Sequence, residues 1–340
     1  MGNPPPAGRF RPRARPKSYV LLAVPGLLDR RLIFVTGKGG VGKSTVATAL
    51  GLVAARRGLR TIVAELAAQD RVRQAFQHEA HTFKEVELTE NLFTISVDPE
   101  HAMEEYLRVK TGAVGQALGN TRLFQAFAMA TPGMRELLSV GKIWELSQHT
   151  RRTDGADAYD LVIVDSPAAG HGVGILRTPR TFAEIARVGP IAHQAGSIAA
   201  TIADSSFTAV IAVATAEEMP VNETLWLRDA LAEEQLALEA TIVNACYPQR
   251  FSARERTTLE RARRRTGQPL TGAALGAALS EHARMQTQRE QLARLREGLA
   301  TEVIELPYLF AETLGRAELD QLADSLGAGL AALESVPVSG

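Results

Sequence analysis

The stretch from Leu32 to Ser44 reads Leu-Ile-Phe-Val-Thr-Gly-Lys-Gly-Gly-Val-Gly-Lys-Ser. Its first five residues are apolar or β-branched, as in a buried parallel strand, and its last eight match G-x-x-x-x-G-K-[ST]. Helical spacing begins at Ser44 itself. Glycines allow the backbone N–H groups of such a loop to surround phosphates, and the helix N-terminus adds partial positive charge. The pattern predicts a P-loop in which Lys43 contacts the terminal phosphates and Ser44 binds Mg²⁺.

Short apolar runs like this one recur along the chain and alternate with segments of helical spacing. This alternation predicts an α/β fold, a doubly wound and mostly parallel P-loop sheet with helices on both faces. The predicted strands are 32–36, 61–66, 92–97, 161–165, 209–214, 240–244 and 303–306. The predicted helices are 44–57, 99–110, 135–147, 221–234, 253–265, 279–297 and 318–333.

The chain is expected to form one domain from residue 31 to 335. Residues 1–30 are rich in proline and arginine and predict a disordered basic tail, and residues 336–340 predict a flexible tail. Helical patterns at about 99–157, where Leu123, Phe124 and Phe127 share a face, and at 176–206 exceed what a minimal βαβ unit needs. These insertions are either ordinary helices that cover the sheet or an amphipathic groove for a partner helix.

Composition excludes several classes of protein. The 38 basic and 38 acidic residues balance, so no overall attraction to nucleic acid or to an anionic membrane is expected, although the charge is unevenly placed. The single cysteine, Cys246, rules out zinc or iron–sulfur sites that need two or more thiolates, and it fits a reducing, cytoplasmic environment. No apolar run approaches the length of a membrane span, so no stable membrane insertion is expected.

A second segment predicts the carboxylate that accompanies a P-loop. Residues 161–165 read Leu-Val-Ile-Val-Asp, and an apolar strand that ends in Asp165 would deliver this carboxylate to Mg²⁺. The lysines also single out the loop, because the chain has 6 lysines against 32 arginines and two of the six are Lys38 and Lys43. A compact ammonium at a phosphate is a role that guanidinium does not fill equally.

The segment Lys38-Gly-Gly-Val-Gly-Lys43 resembles the deviant Walker A motif of the signature-lysine ATPases. That class includes ArsA-type ATPases, partitioning and division-site ATPases, and nitrogenase iron proteins. Asp165-Ser-Pro-Ala-Ala-Gly-His171 resembles the switch II segment D-T-A-P-T-G-H of the ArsA and guided-entry (tail-anchored protein targeting) ATPases. The resemblance runs from about residue 31 to 333 and is closest to single-domain ArsA-like ATPases of actinobacteria. Other similar segments are Asn91-Leu92 with Val97-Asp98-Pro99, Thr131 to Glu136, Asn222-Glu223-Thr224, Ile242-Val243-Asn244 and Leu306-Pro307.

This resemblance implies an ATPase that acts as a dimer, with Lys38 reaching the nucleotide of the facing protomer. Gly170 would donate its backbone N–H to the γ-phosphate, Asn244 would bind the adenine edge, and Pro307 would belong to the loop that closes over the base. The expected ATP-binding residues are Gly37, Lys38, Gly39, Gly40, Val41, Gly42, Lys43, Ser44, Thr45, Glu223, Asn244 and Pro307. The expected catalytic residues are Lys38, Gly170 and Glu65, and the expected Mg²⁺ ligands are Ser44 and Asp165.

The chain also departs from the family pattern. The family places S-T-D-P-A-H-N after the second strand and uses its Asp to position the attacking water, whereas this chain has Ala67 at that register. Glu65 or Asp70 would have to substitute, or a partner subunit would have to supply the function. The zinc-binding C-x-x-C of guided-entry proteins and the metalloid-binding cysteines of ArsA are both absent from this sequence.

These features predict an Mg²⁺-dependent ATPase of the ArsA or guided-entry type that hydrolyses ATP at a dimer interface and couples hydrolysis to dimer opening. The partner is either a second copy or a related ATPase subunit, with a hydrophobic helical client as a further candidate. The alternative is a nucleotide-gated, weakly hydrolysing binding or regulatory subunit of a heterodimer, which Ala67 favours. A partitioning-type ATPase is a third candidate and would require a basic surface or a basic amphipathic C-terminal helix.

Overall fold

The computed structural model of the chain describes residues 26–66, 71–76, 83–108, 131–153, 155–186, 189–299 and 301–334. These residues form one eight-stranded sheet with the strand order β3-β4-β2-β5-β1-β6-β7-β8. The strands are β1 (Leu32–Thr36), β2 (Thr61–Glu65), β3 (Val86–Thr89), β4 (Leu92–Ser96), β5 (Leu161–Asp165), β6 (Thr208–Thr215), β7 (Leu238–Cys246) and β8 (Glu302–Pro307). All neighbouring strands are parallel except β3 and β4, so the predicted doubly wound α/β sheet is confirmed.

The seven predicted strands are present within two residues of their predicted limits, and β3 is an addition. β3 is a four-residue antiparallel strand at the sheet edge, and only Leu88 among its residues is buried. An edge strand buries one face at most, so its sequence, Val-Glu-Leu-Thr, lacks the apolar run that marks the central strands.

Ten helices accompany these strands in the described residues. They are α1 (Lys43–Arg56), α2 (Arg71–Ala75), α3 (99–108), α4 (Met134–Leu146), α5 (Ala169–Ala186), α6 (Pro190–Ala203), α7 (Glu218–Glu233), α8 (Ala253–Arg265), α9 (Pro269–Gly298) and α10 (Arg316–Glu334). None of the described helices is long and apolar enough to cross a membrane.

The ends of some helices differ from those predicted from the sequence. The helix predicted at 279–297 begins ten residues earlier, at Pro269, which occupies the first helical turn that proline favours. The helix of the second insertion begins at Ala169, inside the segment predicted as switch II. In the first insertion, residues 147–153 and 155–157 are not helical, and Leu123, Phe124 and Phe127 lie outside the described residues.

The sheet separates two apolar layers. Leu32 and Phe34 of β1 face one layer, which includes side chains of α4 to α7 and α9, whereas Ile33 and Val35 face the other, which includes α1 and α10. All five residues of β1 are buried, as expected for a parallel strand that is covered on both faces. In the described parts of both insertions, helices therefore cover the sheet.

The described structure includes residues before the predicted boundary at residue 31. Leu27 to Asp29 form a short 3-10 turn, and Leu27 and Leu28 are buried in the layer beside α1. The Arg30 side chain, which is 9% exposed, forms an ion pair with Glu239 at 2.9 Å. Residues 26–30 therefore belong to the domain rather than to a tail, while residues 1–25 and 335–340 lie outside the described residues.

A buried ion network fixes the segment between α4 and β5. The Arg151 side chain is 1% exposed and pairs with Glu85 at 2.7 Å and with Glu145 at 2.8 Å. Lys142 pairs with Glu145 at 3.1 Å and with Glu105 at 2.8 Å. These cations outweigh the effect of burial and lower the pKa of Glu85 and Glu145. The network connects the edge of β3 to α3, α4 and the segment that leads into β5.

We expect Arg151→Ala to lower the free energy of unfolding by about 3–5 kcal/mol, because it leaves the buried Glu145 and the partly buried Glu85 without their main cation. Arg180→Ala is the matched control, since Arg180 pairs with Glu184 on an exposed helix face and such a pair contributes under about 1 kcal/mol. Urea unfolding of both variants measures the difference. Equal losses in the two variants would contradict the assignment of the network as a structural element.

Candidate nucleotide site

The P-loop follows β1 and turns tightly against the neighbouring strand β6. Gly37 has φ 141°, and a Cβ atom there would lie 2.1 Å from the Val213 carbonyl oxygen. Gly42 has φ 93°, and a Cβ atom there would lie 2.3 Å from the Asn244 side-chain nitrogen. Both positions therefore require glycine, both for the left-handed backbone and for the close approach. Gly42 then caps α1, whose N-terminus points its N–H groups into the loop.

The side chain of Lys43 forms hydrogen bonds with the backbone of its own loop. Its ammonium donates to the carbonyl oxygens of Gly37 at 3.0 Å and Lys38 at 2.9 Å. Burial lowers the Lys43 pKa, and the negative charge of Asp165 opposes that effect. The lysine thus lies at the centre of the loop, where phosphate oxygens would replace the carbonyl oxygens as acceptors.

Ser44 and Asp165 form the oxygen pair expected for Mg²⁺. The Ser44 hydroxyl donates to Asp165 Oδ2 at 2.5 Å, although the two residues are 121 positions apart in the chain. Asp165 is 8% exposed, and this burial raises its pKa, whereas Ser44, Lys43 and Arg71 act in the opposite direction. A hydroxyl and a carboxylate are hard oxygen donors that suit Mg²⁺ together with water and phosphate oxygens, so the residues fit this ion. No group of three or more acidic, histidine or cysteine side chains that could hold a metal occurs among the described residues.

Register explains why distant residues meet at this edge. β5 lies between β1 and β2, and Asp165 is paired with Val35 on one side and Glu65 on the other. The carboxyl ends of parallel strands share one edge, where open α/β sheets bind ligands. The resulting cleft has a volume of about 750 Å³. Residues along it include Gly40, Gly42, Lys43, Ser44, Thr45, Glu65, Arg71, Asp165 and Pro167.

Lys38 points to α7 rather than into the loop. Its ammonium lies 3.1 Å from Glu223 Oε2, and the two side chains are 34% and 26% exposed. The pair thus combines two residues that the sequence analysis predicted as ATP-binding, although they are 185 positions apart. A half-exposed pair of this kind contributes at most about 1 kcal/mol, so it can be exchanged for another partner at little cost.

Asn244 and Pro307 lie at the carboxyl ends of β7 and β8. The Asn244 side-chain amide donates to the Val41 carbonyl at 3.0 Å and so supports the P-loop directly. Pro307 is in register with Cys246, and the next residue, Tyr308, donates its backbone N–H to the Cys246 carbonyl at 2.9 Å. Both predicted base-binding residues are therefore at the same edge as the P-loop.

Gly170 and Glu65 lie on either side of Asp165. Gly170 is the second residue of α5 and is exposed, with no atom within 4 Å of the position that a Cβ would occupy. Glu65 is 2% exposed, and its Oε1 accepts the backbone N–H groups of Arg71 at 2.9 Å and Val72 at 3.4 Å. The geometry of Glu65 is therefore that of a cap for α2. Ala67 and Asp70 lie outside the described residues.

Arg71 is a cleft residue that the sequence analysis did not identify. It begins α2, it is exposed, and its charge acts on both Lys43 and Asp165. The sequence does contain a signal for Arg71, because it is a basic residue that follows β2 after one short loop. β2 ends at the edge of the sheet where phosphates are expected to bind.

A separate apolar cavity of about 170 Å³ lies between α3, α4 and α6. Met103, Met134, Leu137, Leu138 and Ile198 contribute to its wall. The ion pairs of Lys142 with Glu105 and Glu145 lie at its border. The sequence analysis left open whether the two insertions form a groove. This cavity lies between helices of both insertions.

Comparisons with known proteins agree with this geometry. The sequence model of the ArsA family, described as anion-transporting ATPase, matches residues 30–192. ATPase BagA of Mycobacterium tuberculosis is 27% identical over 316 residues, which cover 87% of this chain and 92% of that protein. ATPase GET3 of Chaetomium globosum is 26% identical over 323 residues, which cover 88% and 92% of the two chains. A putative arsenical pump-driving ATPase of Halobacterium salinarum is 25% identical over 240 residues, or 66% of this chain and 36% of that protein.

The matched family region contains β1, the P-loop and Asp165, and with them most of the residues that line the cleft. The relatives over most of the chain are likewise ATPases by name. The chain therefore matches the ArsA family of anion-transporting ATPases over residues 30–192, and over most of its length it is similar to ATPases of the ArsA and GET3 type.

Proposed function

We propose that this chain hydrolyses Mg²⁺-bound ATP at a site that a second ATPase subunit completes, and that the cycle opens and closes this dimer. The observation that carries the proposal is the convergence of Lys43, Ser44 and Asp165 on one cleft, with each polar group bonded to a protein atom that a phosphate or Mg²⁺ would replace. After such an exchange Lys43, Ser44 and Asp165 would each still have a polar partner.

The chain's own residues would position the nucleotide rather than react with it. Bound Mg²⁺ would neutralise charge on the phosphates, held by Ser44 and Asp165. Lys43 would donate to terminal phosphate oxygens once these replace the carbonyl acceptors, and Arg71 would add a second positive charge in the same cleft. Phosphoryl transfer of this kind depends on position and charge neutralisation, which this arrangement supports.

The Lys38–Glu223 pair supports a role for a facing subunit. The side chain of Lys38 points away from the P-loop and lies, partly exposed, against α7. If Glu223 holds Lys38 while the chain is alone, contact with a partner's nucleotide requires that this pair separate. Because an exposed pair costs little to break, subunit association can supply the energy.

The alternative is a nucleotide-gated subunit that hydrolyses weakly. The side chain of Ala67 carries no polar group, and Glu65, the buried candidate to replace the missing Asp, is engaged in capping α2.

A partitioning-type ATPase is disfavoured, because Leu319, Leu322, Leu326 and Leu330 bury one face of α10 in the core beside α1. That helix is therefore not available as a membrane anchor.

A hydrophobic helical client is the partner that the apolar cavity supports. The wall between α3, α4 and α6 includes two methionines, Met103 and Met134, whose unbranched side chains adapt to irregular surfaces. Charged pairs at the border would leave the ends of a bound helix in polar surroundings. We propose that this cavity is part of the surface for such a client.

We expect Lys43→Ala to weaken the affinity for Mg²⁺-bound ATP on the order of 100-fold, because it removes the charged donor at the centre of the loop. Lys38→Ala is the matched control in the same loop and should leave binding by the isolated chain nearly unchanged. Titration calorimetry measures both affinities. Unchanged affinity of the Lys43→Ala variant would refute the assigned loop.

We expect phosphate release per chain to rise with protein concentration and then reach a plateau, because the complete site needs two subunits. In Lys38→Ala the plateau should fall to background although ATP still binds. Retained turnover in that variant would refute a site shared between subunits. Absent turnover in the unmodified chain, with intact nucleotide binding, would instead support the weakly hydrolysing subunit and a distinct catalytic partner.

We expect Leu138→Glu to weaken binding of a labelled Leu/Ala-rich helical peptide by about tenfold or more, because the peptide would bury the new carboxylate. Ile185→Glu is the matched control, since Ile185 is 72% exposed and does not line the cavity. Fluorescence anisotropy measures both affinities. Equal binding by the two variants would place the client surface elsewhere.

A further inference from the structure

The helices α8 and α9 form a hairpin whose end extends away from the core. None of the residues of α8 is buried, and the helix that it packs against is α9. The first buried residue of α9 is His282, so residues 269–281 contribute nothing to the core. Thirteen helical residues rise about 20 Å. The hairpin end therefore lies well outside the layers that cover the sheet.

This end carries concentrated positive charge. Between residues 261 and 280, here called the basic tip, the chain has four arginines and no acidic residue. These arginines, Arg261, Arg263, Arg264 and Arg265, lie in the last turns of α8, and none forms an ion pair with a carboxylate in the described part of the chain. Two arginines nearer the base are paired, since Arg250 contacts Glu281 at 2.5 Å and Arg256 contacts Glu260 at 3.0 Å.

The basic tip also exposes apolar surface. Leu270 is 84% exposed, which is the highest value among the exposed large hydrophobic side chains of the described residues. Ala273, Ala274 and Ala277 are exposed as well and follow Leu270 at helical spacing, so they share one face of α9. An uncovered leucine therefore lies within one short turn of the four arginines.

We propose that the basic tip docks peripherally on an anionic lipid surface, with arginines at the headgroups and Leu270 in the interface. Unpaired arginines attract an anionic bilayer, and an apolar helix face gains from shallow burial among acyl chains. A surface for single-stranded nucleic acid would use aromatic side chains for stacking, and residues 261–280 contain none. The contact needs no membrane-spanning helix and does not depend on the nucleotide site.

The test is flotation of the full chain with vesicles of phosphatidylglycerol and phosphatidylcholine in equal parts, at low salt. We expect binding to these vesicles and not to pure phosphatidylcholine. The variant Arg261→Gln/Arg264→Gln/Arg265→Gln should bind on the order of 100-fold more weakly, because each arginine near the surface contributes about fivefold. Leu270→Ser should weaken binding without a change in charge, which separates insertion from simple attraction.

The control variant is Arg135→Gln/Arg177→Gln/Arg180→Gln, which removes the same charge from α4 and α5 and should retain binding. The thermal midpoint of each variant verifies that the fold is intact. Absent binding to the anionic vesicles, or equal loss in both triple variants, would overturn the proposal. So would binding of a single-stranded RNA that depends on the basic tip in the absence of vesicle binding, since the surface would then be a nucleic-acid site.

Discussion

The parallel pairing of β1 with β5 on one side and β6 on the other is the constraint on which the nucleotide site depends. Pairing with β5 aligns Val35 with Asp165, and pairing with β6 brings Gly37 against the Val213 backbone. The loop can follow this path only because its glycines lack Cβ atoms. A one-residue slip of β5 along β1 would move the side chains of β5 to the opposite face of the sheet and separate Ser44 from Asp165.

The buried polar groups of the cleft satisfy one another. Lys43 uses loop carbonyls, Ser44 uses Asp165, and Asn244 uses Val41. An unpaired buried polar group costs about 1–3 kcal/mol, so these mutual contacts allow the cleft to stay folded on its own. A nucleotide must therefore compete with internal bonds, and its affinity is the difference between two well-bonded states rather than the sum of new contacts.

The sequence predicted the central features because they depend on local patterns. Buried parallel strands have continuous apolar runs, and the P-loop and Asp165 are marked by their own neighbours in the chain. The ion network could not be predicted, since Glu85, Lys142 and Arg151 come together only through folding. The start of α9 was missed because Gly272 and Gly276 lower the helical propensity of its first turns, whereas packing and the proline at Pro269 fix the helix. Arg71 belongs to no motif, and the sequence marks it only by its position one short loop after β2.

The network around Arg151 has a mechanical consequence. It ties α3 and α4, which border the apolar cavity, to the edge of β3 and to the segment that enters β5. Buried ion pairs tolerate little stretching, because each separated charge would remain in a poorly solvating interior. Any outward movement of α3 or α4 must therefore break these pairs or carry along the segment that enters β5. The wall of the cavity and this segment share one set of ion pairs, at the end of β5 opposite to Asp165.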